Sequence, residues 1–157
     1  MMNMNLNHES SGAPPDLPIS LIPFAIQLQN VVPIEISAKR FPVNLVPDTP
    51  LNSEINIVGL YIDPDNRQAQ IILETKIEPI NDPKPFEIIL KVVGLFTYSD
   101  RYSPDDVQKY LQAGSISVLL PFIRESIFQL SMRLQISPIM LPLIQLADPT
   151  NTEEHSE

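Results

Sequence analysis

Cysteine and tryptophan are missing from this sequence of 157 residues, and glycine occurs only four times. Without Cys there is no disulfide, no thiol nucleophile and no thiolate metal site, and the composition suits a reducing compartment. Basic residues are scarce too: 10 Lys and Arg stand against 19 Asp and Glu, a formal charge of −9. Nucleic acid and anionic membranes repel a polyanion, so neither is expected as a partner. Histidine is limited to His8 and His155. Both fall in ends expected to be unstructured, where no imidazole can be positioned for acid–base work or a triad. Gly12, Gly59, Gly94 and Gly114 never cluster, which excludes the phosphate-cradling loops of nucleotide-binding proteins. Pro138, Pro142 and Gln145 interrupt the longest apolar stretch, so no run reaches the roughly 18 residues of a spanning helix. Residues 1–16 hold no Lys or Arg and no apolar core, unlike a secretory signal. A cytoplasmic protein is expected, with no membrane insertion, no catalytic residue, no metal and no cofactor.

The chain is rich in apolar residues, at 43 %, and in proline, with 17, while only 18 % of residues are charged. Its surface must then show more apolar area than usual or be covered by a partner. Residues 1–18 are Asn-, Ser- and Pro-rich and cannot repay ordering entropy, so they are expected to be disordered. The acidic tail 149–157 is expected to behave likewise, which leaves one folded domain at 19–148.

Four segments read as strands. Phe24, Ile26, Leu28, Val32, Ile34 and Ile36 share one parity against Gln27, Gln29, Glu35 and Ser37, the period of a strand with one buried face. Pro33 lacks an N–H and places this strand at an edge or gives it a bulge. Residues 55–62 are apolar on both faces near their end and read as a more central strand. Asp63-Pro64-Asp65-Asn66 is turn chemistry, and the alternating segment 69–77 completes a hairpin. Asp63, Asp65 and Glu74 also match positions 1, 3 and 12 of a calcium loop, but Arg67 and Gln68 occupy positions that need a ligand and a Gly. Phe86, Ile88, Leu90, Val92 and Phe96 form a fourth strand, with Gly94 as a bulge or close-approach point. Between the first two strands, the Pro-rich segment 40–50 carries Phe41, Val43, Leu45 and Val46. It reads as a crossover packed on the core or as one wall of an apolar groove.

The pattern then changes period. Ser103-Pro104-Asp105-Asp106 is a helix start: a cap, a first-turn proline and two acids at the positive dipole end. A short helix is expected to stop at Gly114. A longer one begins near Ser117 and carries Leu120, Ile123, Ile127, Leu130 and Leu134 at spacings of 3, 4, 3 and 4, a seam suited to another helix. Leu119 and Phe122 lie off it and can face the sheet, and Pro121 belongs to the first turn or kinks the helix. With no second long helix in the chain, the economical mate for the seam is the same helix of another copy. The segment 137–146 is apolar but broken by prolines, and reads as a strap over the core or as a flap beside a groove. The fold class is thus α+β: a four-stranded antiparallel sheet with a short helix and one long helix packed on one face.

These residues resemble the SecB family of protein-export chaperones over about 24–146. Phe24-Ala25-Ile26-Gln27 is similar to the family's first strand. The segment Phe86-Glu87-Ile88-Ile89-Leu90-Lys91-Val92-Val93-Gly94-Leu95-Phe96 is similar to its strand ending in Gly-apolar-Phe. Leu120-Pro121-Phe122-Ile123-Arg124-Glu125 is similar to its Phe-Pro-aromatic-Ala-Arg-Glu helix. The resemblance implies a tetramer, a dimer of dimers, that holds unfolded client polypeptides in apolar grooves without ATP. It implies a client groove from Phe41, Val43, Leu45, Phe86, Ile88, Leu90, Val92, Leu141, Leu143, Ile144 and Leu146, and an oligomer interface from Leu120, Ile123, Ile127, Leu130 and Leu134. An export role would make the SecA motor a partner. The positions matching its acidic docking residues hold Pro33, Ser37 and Ile89, with Glu35 and Glu87 displaced, which weighs against SecA. SecB-like members that guard an antitoxin offer the alternative of a chaperone dedicated to one partner. The family's C-terminal helix has no evident counterpart after Leu146.

Overall fold

The computed structural model describes residues 25–142. The expected disordered ends at 1–18 and 149–157, both histidines, Phe24, and the groove positions Leu143, Ile144 and Leu146 lie outside the described residues. Four strands, β1 (Ile26–Arg40), β2 (Leu51–Asp63), β3 (Gln68–Pro79) and β4 (Phe86–Tyr98), precede one helix, α1 (Pro104–Arg133). The sheet is antiparallel throughout, in the order β1-β4-β3-β2. The α+β class and the four-stranded antiparallel sheet are therefore as the sequence predicts.

The alternation of β3 and β4 sets the two faces. Ala69, Ile71, Leu73, Thr75 and Ile77 are buried beneath the helix, and so are Phe86, Ile88, Leu90, Val92, Phe96 and Tyr98. Intervening polar residues face outward. There Lys91 reaches Glu35 at 2.7 Å and Glu74 at 3.2 Å, and Glu78 receives Lys84 at 2.9 Å and Lys76 at 3.2 Å. The β2–β3 turn closes on Asp63, whose carboxylate accepts from the Asn66 backbone N–H at 3.2 Å and its side-chain amide at 2.7 Å. These hydrogen bonds hold the Asp63 carboxyl below its usual range, the side-chain bond contributing most.

β1 is an edge strand, as Pro33 requires, and it is bulged as well. Register shifts fall between Leu28 and Asn30 and between Pro33 and Glu35. Each extra residue flips the parity. Simple alternation from Ile26 to Ile36 therefore fails: Val32 pairs with Val93 on the outer face, while Ile36 pairs with Leu90 on the helix side. The expectation for β2 is corrected: it is the opposite edge, not a central strand. Its two-faced apolar end reflects a bulge between Ile57 and Gly59, which leaves Ile57 and Val58 exposed.

The two expected helices are one continuous helix of 30 residues. The start is as expected: the Ser103 hydroxyl accepts from the Asp106 N–H, and the Asp106 carboxylate accepts from the Ser103 N–H, each at 3.2 Å. Gly114 does not end the helix, because Leu111, Ser115 and Leu119 on either side of it are buried against the sheet. That burial outweighs the roughly 1 kcal/mol by which Gly is worse than Ala in a helix. The fully buried positions Val107, Leu111, Ser115, Leu119, Ile123, Ile127 and Ser131 recur every fourth residue. Successive members shift by about 40° round the axis, so the stripe winds as the helix crosses the twisted sheet. Pro121 stands on the exposed side, where water can reach the Ser117 carbonyl that its missing N–H leaves without an i+4 donor.

Candidate functional site

Beyond α1 the chain doubles back. Gln135 takes a left-handed backbone, φ 54°, and the Ile136 N–H bonds to the Ser131 carbonyl at 3.2 Å. The buried Ser131 hydroxyl donates to the Phe128 carbonyl at 2.7 Å and accepts the Ile139 N–H at 3.1 Å. Ile136, Ile139 and Leu141 are buried, while Met140 between them is 66 % exposed. Arg40, at the end of β1, ties this strap down by donating to the carbonyls of Leu134 and Gln135 at 3.0 and 3.3 Å.

The strap forms one bank of a groove of about 410 Å³, and the crossover 41–50 forms the other. The crossover contributes Leu45, Val46 and Pro47, the strap contributes Pro138, Ile139 and Met140, and Phe86 lies between them. Val46 is 68 % exposed. The groove is open and lined mostly by apolar residues, with Thr49 and Ser137 as polar members and Asp48 as its acidic one. A second hollow of about 300 Å³ lies on the other side of the crossover, among Val43, Asn44, Pro50 and the β3–β4 connection with Asp82. Such surfaces bind by burying apolar side chains, at about 25 cal/mol per Å² removed from water, and not by positioning reactive groups. Among the described residues, no group of three His, Cys, Asp or Glu is placed to hold a metal, and no helix is long and apolar enough to cross a membrane.

The expected groove residues divide. Leu45 and Phe86 line the larger groove and Val43 the smaller, while Phe41 is exposed nearby. Leu141 is buried as an anchor of the strap. Ile88, Leu90 and Val92 are completely or almost completely buried between sheet and helix, so they support the groove without facing it. Val46 and Met140 are the prominent exposed apolar side chains. Their sequence signal is an apolar residue within two positions of a proline in a segment without period, which separates loop from core poorly.

The seam residues lie on the inward side of α1. Leu120, Ile123, Ile127 and Leu130 are buried within the single chain, and Leu134 is half-buried. A spacing of 3 and 4 fits the helix to its own sheet as well as to a second helix. Leu119 faces the sheet as expected, but Phe122 is on the solvent side. Val32, Ile34 and Ile36 on the open edge β1 are exposed.

A bulged four-stranded antiparallel sheet crossed on one face by a long helix, with a Pro-rich crossover and a returning strap, defines a SecB-like fold. The SecB-like chaperone Rv1957 of Mycobacterium tuberculosis, solved with a ChAD peptide from the HigA1 antitoxin, superposes with a TM-score of 0.65 at 17 % identity. The match covers 76 % of this chain and 91 % of that one. A protein of unknown function from Streptococcus agalactiae is similar at a TM-score of 0.35 and 12 % identity, over 74 % of this chain and 96 % of that one. No family model matches the chain, and no curated protein matches its sequence.

Proposed function

We propose that this protein is an ATP-independent chaperone that takes apolar segments of non-native polypeptides into the groove between the crossover and the strap. The observation that carries this reading is the pair of exposed side chains Val46 and Met140 on opposite banks of an apolar groove. The described residues leave both uncovered. The likeness to a SecB-like chaperone solved with a bound peptide supports the same reading. Capture by burial needs no nucleotide, and a net charge of −9 favours basic unfolded clients while keeping an apolar surface soluble.

The neighbour's antitoxin peptide favours a second form of this reading, a chaperone dedicated to one partner. General export with SecA is less well supported. Glu35, Glu74, Glu78 and Glu87 on the outer sheet face are each within 4.0 Å of a lysine ammonium, so that face is not a free acidic docking surface. The protein should suppress aggregation of a chemically unfolded client at near-stoichiometric ratio without nucleotide. The double variant Val46→Asp, Met140→Asp should bind client at least tenfold more weakly while keeping the parent's thermal midpoint. Equal suppression by this variant would remove the groove from the mechanism, and no suppression by the parent across several clients would remove the general chaperone. Co-purification from cells that returns a single stoichiometric partner would select the dedicated form.

A further inference from the structure

With Cys absent, sulfur occurs in this chain only as the thioethers of five methionines. Met1, Met2 and Met4 lie outside the described residues. Met132 is 53 % exposed on α1 and lines neither the groove nor its neighbouring hollows. Met140 is 66 % exposed and belongs to two hollows. On one side it closes the crossover groove. On the other it meets Pro121, Arg124, Glu125 and Phe128 of α1 around an open hollow of about 350 Å³. Its exposure is built in. Ile139 and Leu141 on either side are buried, which turns the residue between them outward. The Ile139 N–H is held by the Ser131 hydroxyl at 3.1 Å, and Arg40 holds the start of the strap through the carbonyls of Leu134 and Gln135. The thioether cannot retreat into the core without breaking these contacts, and it stands where a dissolved oxidant reaches it.

We propose that Met140 is a modification site: oxidation of its thioether to the sulfoxide by a peroxide releases client and makes the groove a reversible redox switch. The switch works only if the groove holds client, as proposed above. The sulfur attacks one peroxide oxygen. An S–O bond forms, the O–O bond breaks, sulfur is oxidised by two electrons, and the second oxygen leaves as water with both protons. A methionine sulfoxide reductase reverses the change. The sulfoxide places a polar acceptor where an apolar client side chain must be buried, and covering it without a donor costs its hydration. The helix-side hollow suits the oxidised side chain better. Arg124 lines that hollow with Met140 and makes no ion pair among the described residues, so its guanidinium has donors for the sulfoxide oxygen. Turning toward Arg124 takes the side chain off the bank opposite Val46 and dissolves the apolar pair that grips client.

The absence of Cys makes the test clean. The full-length protein is treated with dilute hydrogen peroxide, and each methionine is followed by peptide mass spectrometry. Met140 should oxidise at least as fast as Met132. Excess unfolded client should slow the reaction at Met140 several-fold and leave Met132 unchanged. The oxidised parent should bind unfolded client roughly fivefold more weakly or worse, and methionine sulfoxide reductase should restore binding. Met140→Leu, a swap of nearly conserved volume, should bind client as the unoxidised parent does. It should keep that binding after peroxide, although Met1, Met2, Met4 and Met132 still oxidise. Equal client binding before and after oxidation, with the Met140 sulfoxide confirmed by mass, would overturn the switch and leave the client reading standing. So would a Met140 that stays reduced while Met132 oxidises, or loss of binding in oxidised Met140→Leu. An unoxidised parent that holds no client would remove the client reading and the switch with it.

Discussion

Thr75 carries a hydroxyl into a place that has no use for it. It is completely buried, and its oxygen finds no hydrogen-bond partner. An unpaired buried hydroxyl costs about 1–3 kcal/mol, whereas Val has nearly the same shape and no polar atom. Thr75→Val should therefore raise stability by about 1 kcal/mol in equilibrium denaturation. Gly94 is the opposite case: a Cβ there would stand 2.9 Å from both Leu119 and Phe96. Both neighbours are buried and cannot yield freely, so Gly94→Ala should cost about 1–3 kcal/mol. The close approach at Gly94 and the cap at Ser103 were legible in the sequence, because each rests on one residue type with one local use. The orphan hydroxyl of Thr75 was not, since alternation gives the face of a strand residue and not its neighbours. The cap also predicts a pH response. The Ser103 hydroxyl, and then the Ser103 backbone N–H, hold the Asp106 carboxyl below its ordinary value. A carboxyl lowered by folding contributes stability that is fully present above its unfolded value, about pH 3.9, and is lost as pH falls toward its folded one. The thermal midpoint should therefore decline below about pH 4, and less steeply in Asp106→Asn.

Helix α1 shows how an element can keep its identity while its faces are misassigned. The sequence pattern gave helical character from Ser103 onward, but the break at Gly114 and the outward seam are absent from the structure. Both errors have the same cause: periodicity shows that apolar residues share a side, not what lies against that side. Here a buried stripe of period four winds with the sheet's twist, so a window read at 3.6 or 3.5 residues sees only parts of it. Two bulges blurred β1 in the same way. The stripe has a testable consequence. Ile127 is completely buried, and an uncompensated buried charge costs on the order of 3–5 kcal/mol, a large share of the 5–15 kcal/mol of a typical domain. Ile127→Glu should leave little folded protein by circular dichroism. A well-folded variant of lower mass would instead restore the seam as a contact between copies.

At the scale of the molecule, the apolar surplus is distributed between banks and edges. Pro42, Pro47 and Pro50 in the crossover and Pro138 and Pro142 in the strap keep the apolar residues there from continuing as strands. The sheet edges are protected only in part, β1 by Pro33 and its two bulges and β2 by the bulge at Ile57–Gly59. β1 presents Ile34 and Ile36, 53 % and 58 % exposed, beside one side of unpaired backbone groups, the arrangement that recruits another strand. This edge therefore offers the exposed apolar side chains and unpaired backbone groups that a second copy would need, while α1 keeps its seam inside. The bulge after Pro33 limits such pairing to the segments on either side of it. Lysine is the side chain that natural edges use against association, so Ile34→Lys with Ile36→Lys should lower the mass by light scattering to that of one chain. Both positions are exposed, so the thermal midpoint of the dissociated chain should reflect only the lost contact. A parent already of single-chain mass, or a variant still assembled, would move the contact away from β1.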